Sequence, residues 1–388
     1  MRGAYTPQVQ EAITRLGSRL TFSEAQEELQ LMWGVAVSTA SVRQITLRNG
    51  VIANELLTKE IQRLQQEAPE PTVAPENLVV SADGAMVQLT TGEWREVKTV
   101  AFGEFASQWE AKKGQVRTKT ENISYFSRVA TADTFSETAV YEWQQRGGDK
   151  ARRVVAVNDG ALWIQSFIDY HCPQATRVID FAHAQGYVAT MGKAVYGAET
   201  DTFNRWYAQM SQQLLTKPPQ RTLSDLRFLQ ATHQDHPDIT EIDQALRYLE
   251  QREAMIDYAH FRSQGIPIGS GIVESGHKVV MQRRMKQAGM RWAEENLNPM
   301  LSLRMAICNR RWHSSWLAIR SHDQQQQRQR RLQLATPPLL SQPAHPVTEK
   351  DCQRLTKLAQ KIEYSRQADP WHNHYFIFPH RRPSLHKN

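Results

Sequence analysis

Three acidic residues stand out by their surroundings. Asp83 interrupts the apolar stretch Leu78–Leu89 (LVVSADGAMVQL), directly before Gly84. A carboxylate set in an apolar strand is costly to bury, so it needs a cation or a hydrogen-bonded turn. Asp159-Gly160 closes a second apolar run, Arg153–Val157. Glu274 follows Gly269-Ser270-Gly271, on the first turn of a helix expected to start near Ile272. Neighbouring carboxylates repel unless a cation sits between them. Oxygen-only ligands suit Mg²⁺ or Mn²⁺. Asp-Gly taken alone is more often a turn dipeptide. Lys278 lies one helical turn beyond Glu274, where a plain i,i+4 ion pair is the simpler use. The Gly-Ser-Gly run lacks the Walker pattern, so no nucleotide cofactor is expected.

Whether these residues meet depends on topology. Leu78–Leu89 and Glu93–Phe105 read as long strands, and Ser124–Ala130 as a shorter third. A helix is expected over Phe135–Arg146. Arg153–Val157 has the continuous apolar look of a buried central strand, and Arg177–Ile179 begins another. Three meandering strands, a helix, then strands alternating with helices is the order of an RNase H-like α/β fold. Its mixed sheet is flanked by helices, and its first and fourth strands lie side by side. That would bring Asp83 and Asp159 within reach of each other.

Residues 1–67 read as an all-α, helix-turn-helix-like DNA-binding domain. Thr21 and Glu24 have capping-box spacing, and Ala25, Leu29 and Met32 form an apolar stripe. Gly34 ends that helix, and Ser38 caps a second, Thr39 to Asn49. This second helix would present Thr39, Ser41, Arg43, Gln44 and Arg48 to phosphates or base edges. An ordinary helical hairpin is the competing reading. Residues 51–67 continue as a further amphipathic helix. Residues 68–77 form a Pro-rich linker. The catalytic core would occupy 78–198, with a helical insertion at 199–263 broken at Lys217-Pro218-Pro219. Final core helices with the glutamate and a basic block follow at 264–320. A low-complexity basic linker and tail complete the chain at 321–388.

The net charge is +7, but its location says more than its size. From Gly271 to Arg331 there are twelve basic and four acidic residues, an excess larger than that of the whole chain. Such a block points to a polyanion, most simply nucleic acid. Lys278, Arg283, Arg284, Lys286 and Arg291 would form a phosphate track leaving Glu274.

The stretch Gly269–Trp292 (GSGIVESGHKVVMQRRMKQAGMRW) resembles the glutamate-bearing motif of the ISKra4 family of bacterial insertion-sequence transposases. The segment from Val157 (VNDGALWIQSFIDYHCPQATRVIDFAHA) is similar to that family's second-aspartate region, and Ser81–Met86 (SADGAM) to its first. The resemblance runs from about residue 5 to about 315. It implies a DDE transposase with Asp83, Asp159 and Glu274 as catalytic residues and metal ligands, holding two Mg²⁺ or Mn²⁺ ions. The related Mutator-like enzymes carry an Asp/Cys-x-x-His signature, matched by Asp180-Phe181-Ala182-His183. Asp180 and His183 are therefore auxiliary candidates, although a satisfied core histidine is the plainer reading of His183. The implied reaction is cleavage of element ends and strand transfer into target DNA. Double-stranded DNA would be the partner and a homo-oligomer the working form. The alternatives are a catalytically inactive, truncated remnant that only binds DNA, and an RNase H-like structure-specific nuclease.

Other classes fit poorly. The three cysteines lie far apart, which is not a disulfide scaffold or zinc ribbon. No stretch approaches the roughly 20 apolar residues of a membrane helix, and the N-terminal residues carry no apolar signal core. A cytoplasmic, nucleoid-associated protein is expected. The pairs His233/His236 and His372/His374 read as surface histidines.

Overall fold

The computed structural model describes residues 5–110, 115–335 and 348–367. Two compact units divide the chain, Met1–Gln325 and Gln326–Asn388.

The first unit opens with α1 (Pro7–Gly17), α2 (Phe22–Trp33) and α3 (Thr39–Glu67). The local signals act as expected. Thr21 and Glu24 form the reciprocal capping box of α2, Gly34 ends it in the left-handed region at φ 63°, and Ser38 caps α3 through the Ser41 N–H. Three details differ from expectation. Met32 is exposed, and Ser41 is buried beneath its own cap. The two helices expected on either side of Gly50 are one. Gly50 does not break α3, because it is a contact point: a β-carbon there would press on the Pro299 carbonyl.

Residues 68–76 lie against the core rather than hanging free. Lys150 Nζ donates to the Pro71 carbonyl at 3.0 Å, and Gln144 Nε2 donates to that of Pro69.

One five-stranded sheet follows, from β1 (Asn77–Gln88), β2 (Trp94–Glu110), β3 (Gln115–Arg128), β4 (Arg153–Asn158) and β5 (Thr176–Ile179). Their order is β3-β2-β1-β4-β5. The first three are antiparallel neighbours, whereas β1–β4 and β4–β5 are parallel. The third strand is longer than Ser124–Ala130, because its polar outer half pairs with β2 beyond the reach of β1. α4 (Ala132–Gln145) and α5 (Leu162–His171) cover one face. Phe126 meets Phe135 there at 5.8 Å, and Phe135 meets Phe167 at 6.0 Å.

The opposite face receives α6 (Phe181–Tyr196), then α7 (Asp201–Thr216), α8 (Pro219–Thr232), α9 (Ile239–Glu250) and α10 (Tyr258–Ser263). Val79, Val155, Val157 and Val178 share one core with Val188, Leu246 and Tyr258. Lys217 ends α7 and Pro219 opens α8, as the proline pair requires. Trp206 packs against Tyr196 as part of that core.

The same face is completed by α11 (Gly271–Gly276), a π-helical turn (His277–Gln282) and α12 (Arg283–Met285), one continuous helical run. α13 (Leu297–Cys308) and α14 (Trp312–Ala335) follow. The Gln/Arg-rich stretch is thus helical where it is described. In the second unit, α15 spans Glu349–Gln367. His372 and His374 lie outside the described residues. No helix among the described residues is long and apolar enough to cross a membrane. The three cysteines are free.

Candidate active site at Asp83 of β1 and the end of β4

The β1–β4 register runs from Asn77↔Arg153 to Val80↔Ala156. Beyond it, the Ala82 N–H donates to Asn158 Oδ1 at 2.6 Å. That bond carries the pairing two steps further and sets Asp83 level with Asp159. Asp83 pairs across β2 with Thr99, and Thr99 with Ser127. Directly opposed residues share a face, and the Thr99 and Ser127 hydroxyls do meet at 2.9 Å.

α11 packs over this face. A β-carbon on Gly276 would enter the Tyr125 ring and touch Thr99, so glycine lets the helix come down onto the strands. One residue on, His277 Nε2 stands 3.2 Å from Asp83 Oδ2. The approach lies off the line of a hydrogen bond, so both ring nitrogens are buried without a partner. Glu274, a turn earlier, is exposed at the start of the same helix. Its carboxylate makes no ion pair with Lys278 among the described contacts, so the plain i,i+4 reading does not hold.

Each acidic residue has a separate holder. The Asp83 Oδ1 accepts the Gly84 N–H at 2.7 Å. The Asp159 Oδ1 accepts the Ala161 N–H at 2.9 Å. The carbonyls of its turn are held from α9: the Tyr248 hydroxyl donates to Asp159 O, and Arg252 to Gly160 O at 3.3 Å. Arg252 also lies 3.8 Å over the Tyr248 ring, whose other neighbour Tyr187 stacks at 3.8 Å. Burial raises the Tyr248 phenol well above its usual range, so it remains a donor. Glu274 is held from further away. Asp180 caps α6 through the His183 N–H at 2.9 Å, and its other oxygen accepts the Ser270 N–H and hydroxyl at 2.7 and 3.0 Å. Asp180 therefore fastens the glycine loop that starts α11. The His183 ring packs edge-on to Tyr187 and Tyr248, beside the Asp159 turn.

Asp83 and Asp159 thus lie level on neighbouring strands, and Glu274 is on the helix that packs over Asp83. Among the described residues no three His, Cys, Asp or Glu side chains stand in a geometry that could hold a metal ion. Carboxylate oxygens of this kind suit a hard divalent cation; among the described residues the hydrogen bond to Asp83 goes to Oδ1, which leaves Oδ2 facing His277.

The basic track needs one correction. Lys278, Arg283, Lys286 and Arg291 are exposed, but Arg284 is 1% exposed and faces inward. Its Nε donates to the Gly17 carbonyl at 2.9 Å, and its guanidinium lies 4.6 Å from the Phe22 ring and 5.0 Å from Trp292. Burial, and the nearby charge of Arg304, push its pKa down to about 10. Arg304 is buried likewise. It donates to Val280 O and Ser18 O at 3.0 Å and to Val279 O, joining the π-helical turn to the end of α1. Arg311 is taken up by the buried Glu142 at 2.6 Å. These three arginines tie the fold together and are not a phosphate surface. On α3, Arg43 and Gln44 are exposed, while Arg48 pairs with Asp323 at 3.4 Å.

Sequence reasoning passed over His277, Tyr248 and Arg252. His277 carries a signal, since it lies in phase with the buried Val273 and Val280. Tyr248 and Arg252 carry none, because the bonds they make span 89 and 92 residues.

Residues 7–317 match the model of the family described as "Uncharacterised protein family (UPF0236)", and the chain belongs to that family. It is 22% identical over 321 residues to the "UPF0236 protein in vanSb 3′region" of Streptococcus gallolyticus. The match covers 79% of this chain and 65% of that relative's length.

Proposed function

We propose that this UPF0236 chain is a DNA transposase of the DDE type, with an RNase H-like core of the kind the ISKra4 resemblance implies. One observation supports the reading: Asp83, within β1, lies level with Asp159 at the end of the adjacent parallel β4, and the helix that bears Glu274 packs over Asp83. Asp83, Asp159 and Glu274 would hold Mg²⁺ or Mn²⁺. When bound, such ions supply an activated water or 3′-hydroxyl and stabilise the leaving oxygen in an in-line displacement.

The chain's own residues prepare that reaction by position. Gly84 N–H fixes one Asp83 oxygen, Tyr248 and Arg252 fix the Asp159 turn, and Asp180 fixes the loop that starts α11. Lys278, Arg283, Lys286 and Arg291 neutralise phosphates along the duplex. Arg43 and Gln44 on α3 supply a second DNA contact. Two element ends must be joined to one target, so the working form is a homo-oligomer on the nucleoid.

The test uses the purified full chain, a plasmid carrying the DNA that flanks its gene, and Mg²⁺ or Mn²⁺. Mapping of 3′ ends should give cuts at the element ends and joined products, both lost in Asp83→Asn and Glu274→Gln. Cuts without joined products would replace this reading with a structure-specific nuclease. Binding without cuts in either metal would leave a DNA-binding protein.

A further inference from the structure

His277 stands beside Asp83 and has no part in the reaction above. Its side chain is 5% exposed, while that of Asp83, 3.2 Å away, is 43% exposed. Both of its ring nitrogens are buried without a hydrogen-bond partner. An unmet buried polar group carries the full cost of its desolvation, so a protein rarely keeps one without use. Asp83 Oδ2 is an acceptor 3.2 Å from Nε2 of His277. His277 also begins the π-helical turn, a distortion that frequently marks functional positions.

We propose that His277 is the positioning residue of Asp83. With its proton on Nε2 it donates to Oδ2 after a small rotation of either side chain, while the Gly84 N–H holds Oδ1. The carboxylate is then gripped at both oxygens, which fixes its torsions and leaves its outward lone pairs for a cation. Glu274 sits one turn away on the same helix, so the helix that brings the third carboxylate also aims the first. Partners that orient a ligand typically change metal affinity 10–100-fold when removed. This inference rests on the carboxylate site proposed above, and two readouts keep the two ideas separable.

The first readout is Mn²⁺ binding to the full chain, followed by the electron paramagnetic resonance signal of the free ion. His277→Phe fills the volume without a donor, His277→Gln restores an N–H, and Asp83→Asn is the reference. His277→Phe should weaken binding about 10-fold or more. His277→Gln should stay within about 3-fold of the parent, because it keeps the donor. Equal affinity in His277→Phe and parent, or equal loss in Phe and Gln variants of unchanged thermal midpoint, would overturn the role. The second readout needs no metal. In ¹⁵N NMR of histidine-labelled protein, His277 should carry its proton on Nε2, with a resonance that moves in Asp83→Asn. A proton on Nδ1, or a resonance indifferent to Asp83→Asn, would overturn the proposal even if Mn²⁺ binds. If Asp83→Asn leaves Mn²⁺ affinity unchanged, the carboxylate site is what fails, and the NMR result alone decides His277.

Discussion

The two ends of one helical run treat charge in opposite ways. At its start, Glu274 is exposed, with no ion pair among the described residues, and His277 stands beside the half-exposed Asp83. Ten residues on, Arg284 is sealed between Phe22 and Trp292 and donates to the carbonyl of Gly17. The first arrangement spends no charge on the fold and keeps it for a ligand. The second commits its charge to ends of backbone that have no other donor, since the last carbonyls of a helix lack partners within it. Sequence alone makes the two ends look alike, because each is simply rich in charged residues. Burial separates them.

The largest test strikes the open end. Asp83→Asn should lower metal-dependent strand cleavage by about 10³-fold or more. Removing one of several close carboxylates relieves repulsion, so the thermal midpoint should hold or rise. A large fall in the midpoint would place Asp83 with the structural charges and erase the contrast.

At the closed end, Arg304→Met would remove a donor from the carbonyls of Ser18, Val279 and Val280 at once, and among the described side chains only Val279 O keeps another, Cys308 Sγ at 3.5 Å. Each orphaned buried group costs about 1–3 kcal/mol. Urea unfolding should show a loss of about 3 kcal/mol or more. A change within about 0.5 kcal/mol would mean that the seam holds nothing.

A third test asks whether burial governs charge elsewhere in the unit. His171 is half-buried and packs against Phe167 and Trp143, with Nε2 2.8 Å from the Ser136 carbonyl. Burial pushes its pKa down from 6.5 to about 4. The folded form therefore resists a proton that the unfolded chain accepts. Stability present above about pH 6.5 should decline as pH falls towards 4, by about 1.4 kcal/mol per pH unit for one proton. His171→Phe should flatten the slope of unfolding free energy against pH across that window.

The smallest effect lies on the outer surface. Arg283→Ala, Lys286→Ala and Arg291→Ala should each change stability by less than about 0.5 kcal/mol. Each should reduce the salt dependence of duplex binding by about one unit of slope. Unchanged salt slopes in all three would remove the phosphate track.

Local chemistry was the legible part of the molecule. The capping box at Thr21, the glycine stop at Gly34, the proline break at 217–219 and the neighbouring β1 and β4 all follow from residue type and order. What stayed hidden depends on partners remote in sequence. Gly50 looked like a helix boundary, but α13 was needed to show that it is a point of close approach. Arg284 looked like a surface cation, yet its acceptor lies 267 residues earlier. Asp180 was an auxiliary candidate, and its structural part came only from a partner 90 residues on: its oxygens accept from the His183 N–H and from the Ser270 N–H and hydroxyl.

That last bond has a consequence for how the chain can vary. From Asp180 the backbone leaves on a long excursion through α6 to α10, and it returns to the same carboxylate at Ser270. A second clasp lies beside it, Phe181 N–H to Ile268 O at 2.9 Å. The excursion thus hangs from a neck. Helices far from that neck can lengthen, shorten or be nicked while Glu274 stays where it is. α9 and α10 are not free to drift, because Tyr248 and Arg252 reach the Asp159 turn and the Tyr258 hydroxyl donates to Ile179 O at 2.9 Å.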